Sequence, residues 1–497
     1  MYTTQAMKKT KLLQTLCVLT PSELREWMAF LNAPSIHPRP DVLLLATTFA
    51  SQNALMANNM PDKHAIFEQL YGSQTAYDER KLNNTISDVY ALLLDFLAAK
   101  HHQNNLLQVQ ADKVAALLAR HLDKHAAQEH QKWHLMLQQH QPKDAAWARL
   151  NTLWWEIQDL LQHRQARRPT ESYLHQQADA MLQAHQLDKM RLSIAALSRG
   201  ALSINTDQQT PAWFQQLHTL PEAGSLHQYS TGAALYAAAL RLLQEPSEHH
   251  FRHLTHALET HPKALTLEDR LALYQCAINY CIRCINDGKP EAYADILALY
   301  KQLIDNQLLL QNGKLSQWAY KNIATAGLRT GEFAWTEQFL KSHNQFLPEA
   351  DRESALAFNL ASLYFETGAF AHALRTLQGV NFKDITYHLG AKILQMKIFF
   401  ITNEFDTLAS LLAATRRLIR RTRGLSPFGK TTNLNFLNVI QQLANISEKN
   451  TTKKKIAEER SLLNHKIQLM HPLANKDWLL KMTELPLNSS TPKPLPS

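Results

Sequence analysis

The sequence predicts an all-α protein in which a solenoid of helical hairpins follows a small N-terminal helical domain. Three observations point there. Only 13 glycines occur in 497 residues, against about 35 at average usage, which leaves little material for strand-rich topologies. Apolar residues recur at helical spacing over most of the chain. One short turn motif returns at a near-constant interval late in the sequence.

Residues 1–105 read as the N-terminal helical domain. Thr20-Pro21-Ser22-Glu23 is a helix start: Thr20 caps, Pro21 takes the first helical position where its missing N–H costs nothing, and Glu23 completes a capping box. Leu24, Trp27, Met28 and Leu31 follow at helical spacing until Asn32-Ala33-Pro34 stops the run. A second helix carries Leu82, Ile86, Val89, Leu93 and Leu97 on one face. Residues 106–230 form a connecting region of long helix with few breakers. In it Trp147, Leu150, Trp154, Ile157 and Leu161 mark an apolar stripe, read as core rather than as a platform for bases. Thr206 to Gly224 reads as a looser joint.

Residues 231–423 hold the hairpins. Segments 231–244 and 247–260 pair across Glu245-Pro246-Ser247, and 266–286 and 289–308 pair across Asp287-Gly288. Then Thr330-Gly331-Glu332-Phe333, Thr367-Gly368-Ala369-Phe370 and Thr402-Asn403-Glu404-Phe405 align at spacings of 37 and 35 residues. Around the second turn, Leu360, Ala361 and Tyr364 precede it, and Ala373 and Leu377 follow. Around the first stand Tyr320, Ile323, Ala324, Thr336, Leu340 and Pro348. The third unit departs, with Lys392, Gln395 and Met396 at packing positions. Residues 424–484 read as a basic helical cap and 485–497, with Pro486, Pro492, Pro494 and Pro496, as a disordered tail.

These residues resemble the tetratricopeptide repeat, a helix–turn–helix unit of about 34 residues. The resemblance implies a concave groove lined by the first helix of each unit. Its positions here are Trp318, Lys321, Thr325, Arg329, Phe358, Ser362, Phe365, Lys397 and Phe400. Two exposed phenylalanines, Phe358 and Phe365, beside Lys and Arg would suit an extended peptide with an acidic group; the bland reading of each is packing between repeats. The Thr20–Glu23 helix, the Lys81–Leu97 helix and a segment around Trp478 also resemble a group of uncharacterised helical proteins of similar length, which brings no activity.

Chemistry-bearing constellations are few. Cys276-x4-Cys281-x2-Cys284 matches three ligands of a two-iron cluster. The segment nevertheless reads as continuous helix with the thiols as compact apolar residues. His249, His253 and His256 share an arc opposite Phe251, Leu254 and Leu258, and read as a solvated face rather than a metal site. No P-loop, GxGxxG or GxSxG occurs. The sequence therefore predicts no enzyme, no cofactor and no metal.

The net charge of +9 is uneven: residues 410–497 hold 15 Lys and Arg against 5 Asp and Glu. Arg416, Arg417, Arg420, Arg421 and Arg423 place guanidinium groups one turn apart on a helix. They read either as a basic helix end that suits the macrodipole or as a grip on phosphates and acidic partners. Lys8, Lys9, Lys11 and Leu12-Leu13 imitate a signal peptide poorly, being broken by Gln14 and Thr15 without a cleavage site. No run approaches about 18 apolar residues. A cytoplasmic protein off the membrane is the expectation. The functional reading is a scaffold that binds a protein or peptide in the groove, with nucleic-acid association through the basic end as the alternative.

Overall fold

A computed structural model describes residues 10–51, 62–165, 172–202, 230–310, 313–448 and 452–484. Among the described residues there are 22 α-helices and no strand. The joint at 206–224 and the tail at 485–497 lie outside the described residues. Contacts divide the chain into two units. One holds residues up to Lys189 together with 230–232, and the other holds residues 190–202 and those from Ala233 on.

The first unit contains α1 (Lys11–Leu16), α2 (Pro21–Leu31), α3 (Pro40–Ser51), α4 (Lys63–Tyr71), α5 (Glu79–Asn104), α6 (Leu106–Leu118), α7 (Asp123–Gln139) and α8 (Ala145–Gln165). The α2 start is the expected reciprocal box: Glu23 N–H donates to Thr20 Oγ1 at 3.2 Å and Thr20 N–H to Glu23 Oε2 at 2.8 Å. The Thr20 N–H, and then the Thr20 hydroxyl donating to the same oxygen at 2.9 Å, hold the Glu23 carboxyl below its ordinary range. Leu12, Leu13 and Leu16, which mimic a signal segment in sequence, are buried in a core with Trp27, Phe49, Phe67 and Leu82. Residues expected as long helix with few breakers are divided instead into α6, α7, α8 and α9 (Leu174–Leu202). The first break is His121 at φ 55°, a left-handed residue with no glycine to announce it. Trp154, Ile157 and Leu161 do line a core, with Leu107, Val114 and Trp133.

The second unit continues through α10 (Thr231–Gln244), α11 (Glu248–Thr260), α12 (Leu267–Asn286), α13 (Ala292–Asp305), α14 (Gln317–Arg329), α15 (Phe333–His343), α16 (Glu349–Glu366), α17 (Phe370–Leu377), α18 (Ile385–Ile401), α19 (Phe405–Arg421), α20 (Pro427–Glu448), α21 (Lys453–Leu469) and α22 (Lys476–Glu484). From α11 to α21 each helix packs on the next, and α14, α16 and α18 also pack successively on one another. The four helices expected between 231 and 308 start and stop within a few residues of their sequence limits.

Three hairpins close on one turn. Thr330, Thr367 and Thr402 cap their helices, and Gly331, Gly368 and Asn403 follow at φ 75°, 79° and 60°. Each turn repeats two backbone bonds. Gly331 N–H donates to Leu328 O and Glu332 N–H to Gly327 O; Gly368 to Phe365 O and Ala369 to Tyr364 O; Asn403 to Phe400 O and Glu404 to Phe399 O. This is the Schellman closure, which satisfies carbonyls that a helix end leaves unpaired. Each threonine hydroxyl adds a bond to the carbonyl four residues back, at 3.0 Å in all three.

The closest approach inside a hairpin is at Gly327. A Cβ there would lie 2.1 Å from Thr336 Oγ1, and Thr336 is fully buried on α15 with that hydroxyl donating to Glu332 O at 2.7 Å. Gly327→Ala gains up to about 1 kcal/mol of helix propensity, but overpacking costs about 1–3 kcal/mol, so the clash wins. Denaturant unfolding should therefore show a net loss of stability for Gly327→Ala. Adding Thr336→Ala should recover part of it, because the clashing atom is gone. A stabilised single variant would contradict this packing.

Candidate functional site

The first helices α14, α16 and α18 carry all nine residues expected to line a groove, and the structure treats them unequally. On α14, Trp318 is 49% exposed and Arg329 is exposed, while Lys321 and Thr325 are half-buried. Thr325 Oγ1 donates to Lys321 O at 2.9 Å, and on α16 Ser362 Oγ donates to Phe358 O at 2.9 Å. Both hydroxyl protons are thus spent on their own helices.

The expectation of two exposed phenylalanines is corrected. Phe358 is half-buried, edge-on to Tyr387 with centroids 5.4 Å apart. It lies over Gly390 of α18, where a Cβ would meet its Cε2 at 2.7 Å. Phe365 is 8% exposed and sits in a core with Ala361, Ala373, Leu377, Ala391 and Ile398. Phe400 is also 8% exposed, 5.8 Å from the Trp478 ring of α22. The C-terminal helix therefore covers the α18 end of the face. Its loop is pinned on α20 by Asn435 Nδ2 donating to Pro472 O at 2.8 Å.

The two lysines of this face have different surroundings. Lys321 Nζ stands 5.5 Å from the Phe358 ring centroid and 5.8 Å from that of Tyr387. Among the described residues it has no carboxylate at ion-pair distance. Burial lowers its pKa, and the charge of Asp384 opposes the shift. Lys397 is 9% exposed, donates to Asn475 Oδ1 at 2.6 Å and lies near the Phe365 and Trp478 rings. Burial first, and then the charge of Arg329, lower its pKa to about 8, with Glu366 opposing. Sequence reasoning missed Tyr387, Gly390 and Asn475. The first two stand on α18, away from any turn motif, and Asn475 is brought in by the chain's return from α20.

The basic run divides too. Arg416 Nη2 donates to Asn438 Oδ1 at 2.9 Å and Gln441 Oε1 at 2.7 Å, tying α19 to α20. Arg417, Arg420, Arg421 and Arg423 are exposed and make no ion pair or hydrogen bond among the described residues. Cys276 and Cys281 are buried within the continuous helix α12, where desolvation raises their pKa values to about 11 and about 12 and keeps them thiols. His249, His253 and His256 are exposed opposite the buried Phe251, Leu254 and Leu258. Among the described residues no group of three His, Cys, Asp or Glu side chains is placed to hold a metal, and no helix is long and apolar enough to cross a membrane. A cavity of about 370 Å³ beside α7 and α8, which no sequence motif announces, is lined by His130, Gln158, Gln162 and Tyr173. His130 is committed to packing there: its Nε2 meets Trp154 O at 3.0 Å and its ring stacks on that indole.

Compared with known proteins, the chain matches no protein-family model, no curated protein and no solved structure.

The Lys397 environment has a sign that can be worked out. Its folded pKa near 8 lies below the ordinary lysine value near 10.4. Between those values the unfolded chain binds more protons than the folded one, so the Lys397 contribution to stability rises with pH through that window. Cys276 and Cys281, with raised pKa values, act in the opposite direction there. The difference between wild type and Lys397→Met isolates the lysine. Unfolding free energies at pH 8 and pH 10 should show wild type gaining relative to the variant, and an unchanged difference would refute the assignment.

Proposed function

We propose that this protein is a non-enzymatic interaction scaffold that binds an acidic segment of a protein partner along the first-helix face of α14 and α16. The observation that carries this reading is Lys321, a cation beside the Phe358 and Tyr387 rings with no carboxylate at ion-pair distance among the described residues. Asp384 acts on it only from beyond ion-pair distance, its carboxylate being taken by the Thr386 and Tyr387 N–H groups. A half-desolvated ammonium so placed is favourable for a carboxylate from outside, because the cost of its desolvation is already met within the fold. Trp318, exposed one turn before it, offers the apolar contact that interface hot spots favour. Arg329, exposed on the same helix and without an ion pair among the described residues, adds charge of the same sign.

A tetratricopeptide-like arrangement supports the reading. The three Schellman turns fall at the repeat interval, and α14, α16 and α18 pack successively, as the first helices of such units do. With Phe365 buried in the core between α16, α17 and α18, and Lys397 and Phe400 covered by the segment around Asn475 and Trp478, the segment we propose would lie on α14 and α16 rather than along the full set of groove positions.

Affinity capture from nuclease-treated native lysate, compared between wild type and Lys321→Glu, tests this. A stoichiometric partner held by wild type and reduced about tenfold or more by the charge reversal is the expected result, in line with a hydrogen-bonded charge contact of about 1.5–3 kcal/mol. Arg417→Glu, outside the face, should leave capture unchanged. A partner retained equally by Lys321→Glu, or lost equally with Arg417→Glu, would overturn the assignment to this face.

A further inference from the structure

The helix α19 ends in a strip of cations that the fold leaves unused. Arg417 and Arg421 stand one turn apart, Arg420 and Arg421 occupy the last turn, and Arg423 follows in the connection. All four are exposed. Among the described residues none of the four makes an ion pair, although 13 Lys or Arg pairs with carboxylates occur elsewhere. Arg416, the neighbour that the fold does use, shows the difference, since it is bonded across the hairpin to Asn438 and Gln441.

A second observation stands beside the charge. Phe428 is 70% exposed. It lies in the first turn of α20, and α19 and α20 pack against each other as consecutive helices joined by residues 422–426. The last turn of α19 and the first turn of α20 therefore share one end of that hairpin. An aromatic ring left in water costs hydrophobic free energy that burial would recover. Phe428 stands at the same end of the hairpin as Arg420, Arg421 and Arg423, and the half-buried Lys430 follows two residues later.

Guanidinium forks recognise phosphate oxygens, and an exposed ring beside them offers a stacking surface to an unpaired base. A duplex keeps its bases stacked inside and would use the arginines alone. An acidic protein would use the charge, but its chain does not carry a flat ring on every unit of a regular row of anions, as a polynucleotide does. We propose that the α19–α20 end binds a single-stranded polynucleotide. Arg417, Arg420, Arg421 and Arg423 contact its phosphates, and Phe428 stacks on one base. This surface is separate from the α14–α16 face and does not rest on it.

The test is fluorescence anisotropy of a labelled oligouridylate of about 12 nucleotides with the full chain. Four phosphate contacts predict a log–log salt slope of about −2.8, so affinity should fall about fiftyfold between about 50 and about 200 mM salt. Arg417→Gln with Arg421→Gln should halve that slope to about −1.4. Phe428→Ala should weaken binding about fivefold or more while leaving the slope unchanged, because stacking releases no counterions. All these side chains are exposed, and circular dichroism of each variant checks that the fold is kept. Oligodeoxyuridylate in place of the RNA reports whether the sugar matters and, with equal affinity, extends the assignment to both. Absence of binding at low salt would overturn the proposal. So would equal affinity for a duplex together with no effect of Phe428→Ala, which would mean a bare phosphate contact. Displacement by oligoglutamate as effective as displacement by unlabelled oligouridylate would overturn it in favour of an acidic protein partner.

Discussion

Everything in the second unit depends on how its hairpins close. A helix with one apolar stripe cannot bury it alone, so the chain must return within a few residues and antiparallel. The Schellman turn does this at Gly331, Gly368 and Asn403, and the same pair of backbone bonds recurs at Gly288 and at Gln307. Two of the five left-handed positions are not glycine, and each carries a conformational cost of about 1–2 kcal/mol. The helix that follows Asn403 buries Leu408, Leu412 and Ile419, each worth about 1.5–3 kcal/mol. The packing outweighs the strain severalfold, which is why asparagine and glutamine are tolerated where glycine would be the easier residue.

Closure then sets how near the two helices come, and the side chains at the crossing follow from it. At the first hairpin the space is so small that only hydrogen fits on Gly327 against Thr336. Tyr320, on the same helix, is fully buried with its hydroxyl donating to Leu340 O at 2.7 Å, a tie between α14 and α15 that depends on that spacing. Between successive hairpins the same logic sets Phe358 over Gly390 and sends the Tyr387 hydroxyl to Gln317 O at 3.2 Å. Lys321 acquires its two rings because α16, with Phe358, and α18, with Tyr387, both come this close to α14. The candidate site is a by-product of packing that the turns impose.

This explains what was legible in the sequence. Turns and helix limits are local: Gly331, Gly368 and the Thr20–Glu23 box announce themselves within a few residues, and the structure places helices where they predict. His121 was not legible, because a histidine at φ 55° carries no signature that distinguishes it from helical histidines around it. Exposure of the face was not legible either. Lys397 and Phe400 occupy first-helix positions by any alignment of the turns, yet Asn475 and Trp478, close to 80 residues later, decide that they are covered. Arg416 is the same case in miniature. Its spacing matches that of Arg420, and only the arrival of Asn438 and Gln441 separates a structural arginine from a free one.

The covered and open lysines also inform each other. Lys397 lies beside a phenylalanine of α16, as Lys321 does, and the chain's own C-terminal segment completes its surroundings. That segment contributes a tryptophan ring and an amide oxygen that accepts from the ammonium. Lys321 has the rings, and among the described residues no oxygen accepts from its ammonium. A strongly hydrated ammonium loses more on burial than a ring face returns, and so at Lys321 the charge remains only half-covered, while at Lys397 an acceptor permits near-complete burial. The internal contact thus sets out the chemistry that a segment arriving from elsewhere would need at Lys321: an oxygen acceptor at hydrogen-bond distance from Nζ, with an apolar group against Phe358 to keep water away. A carboxylate meets the first requirement better than an amide, since a charged acceptor bonds the more strongly to a cation that the protein has already begun to desolvate.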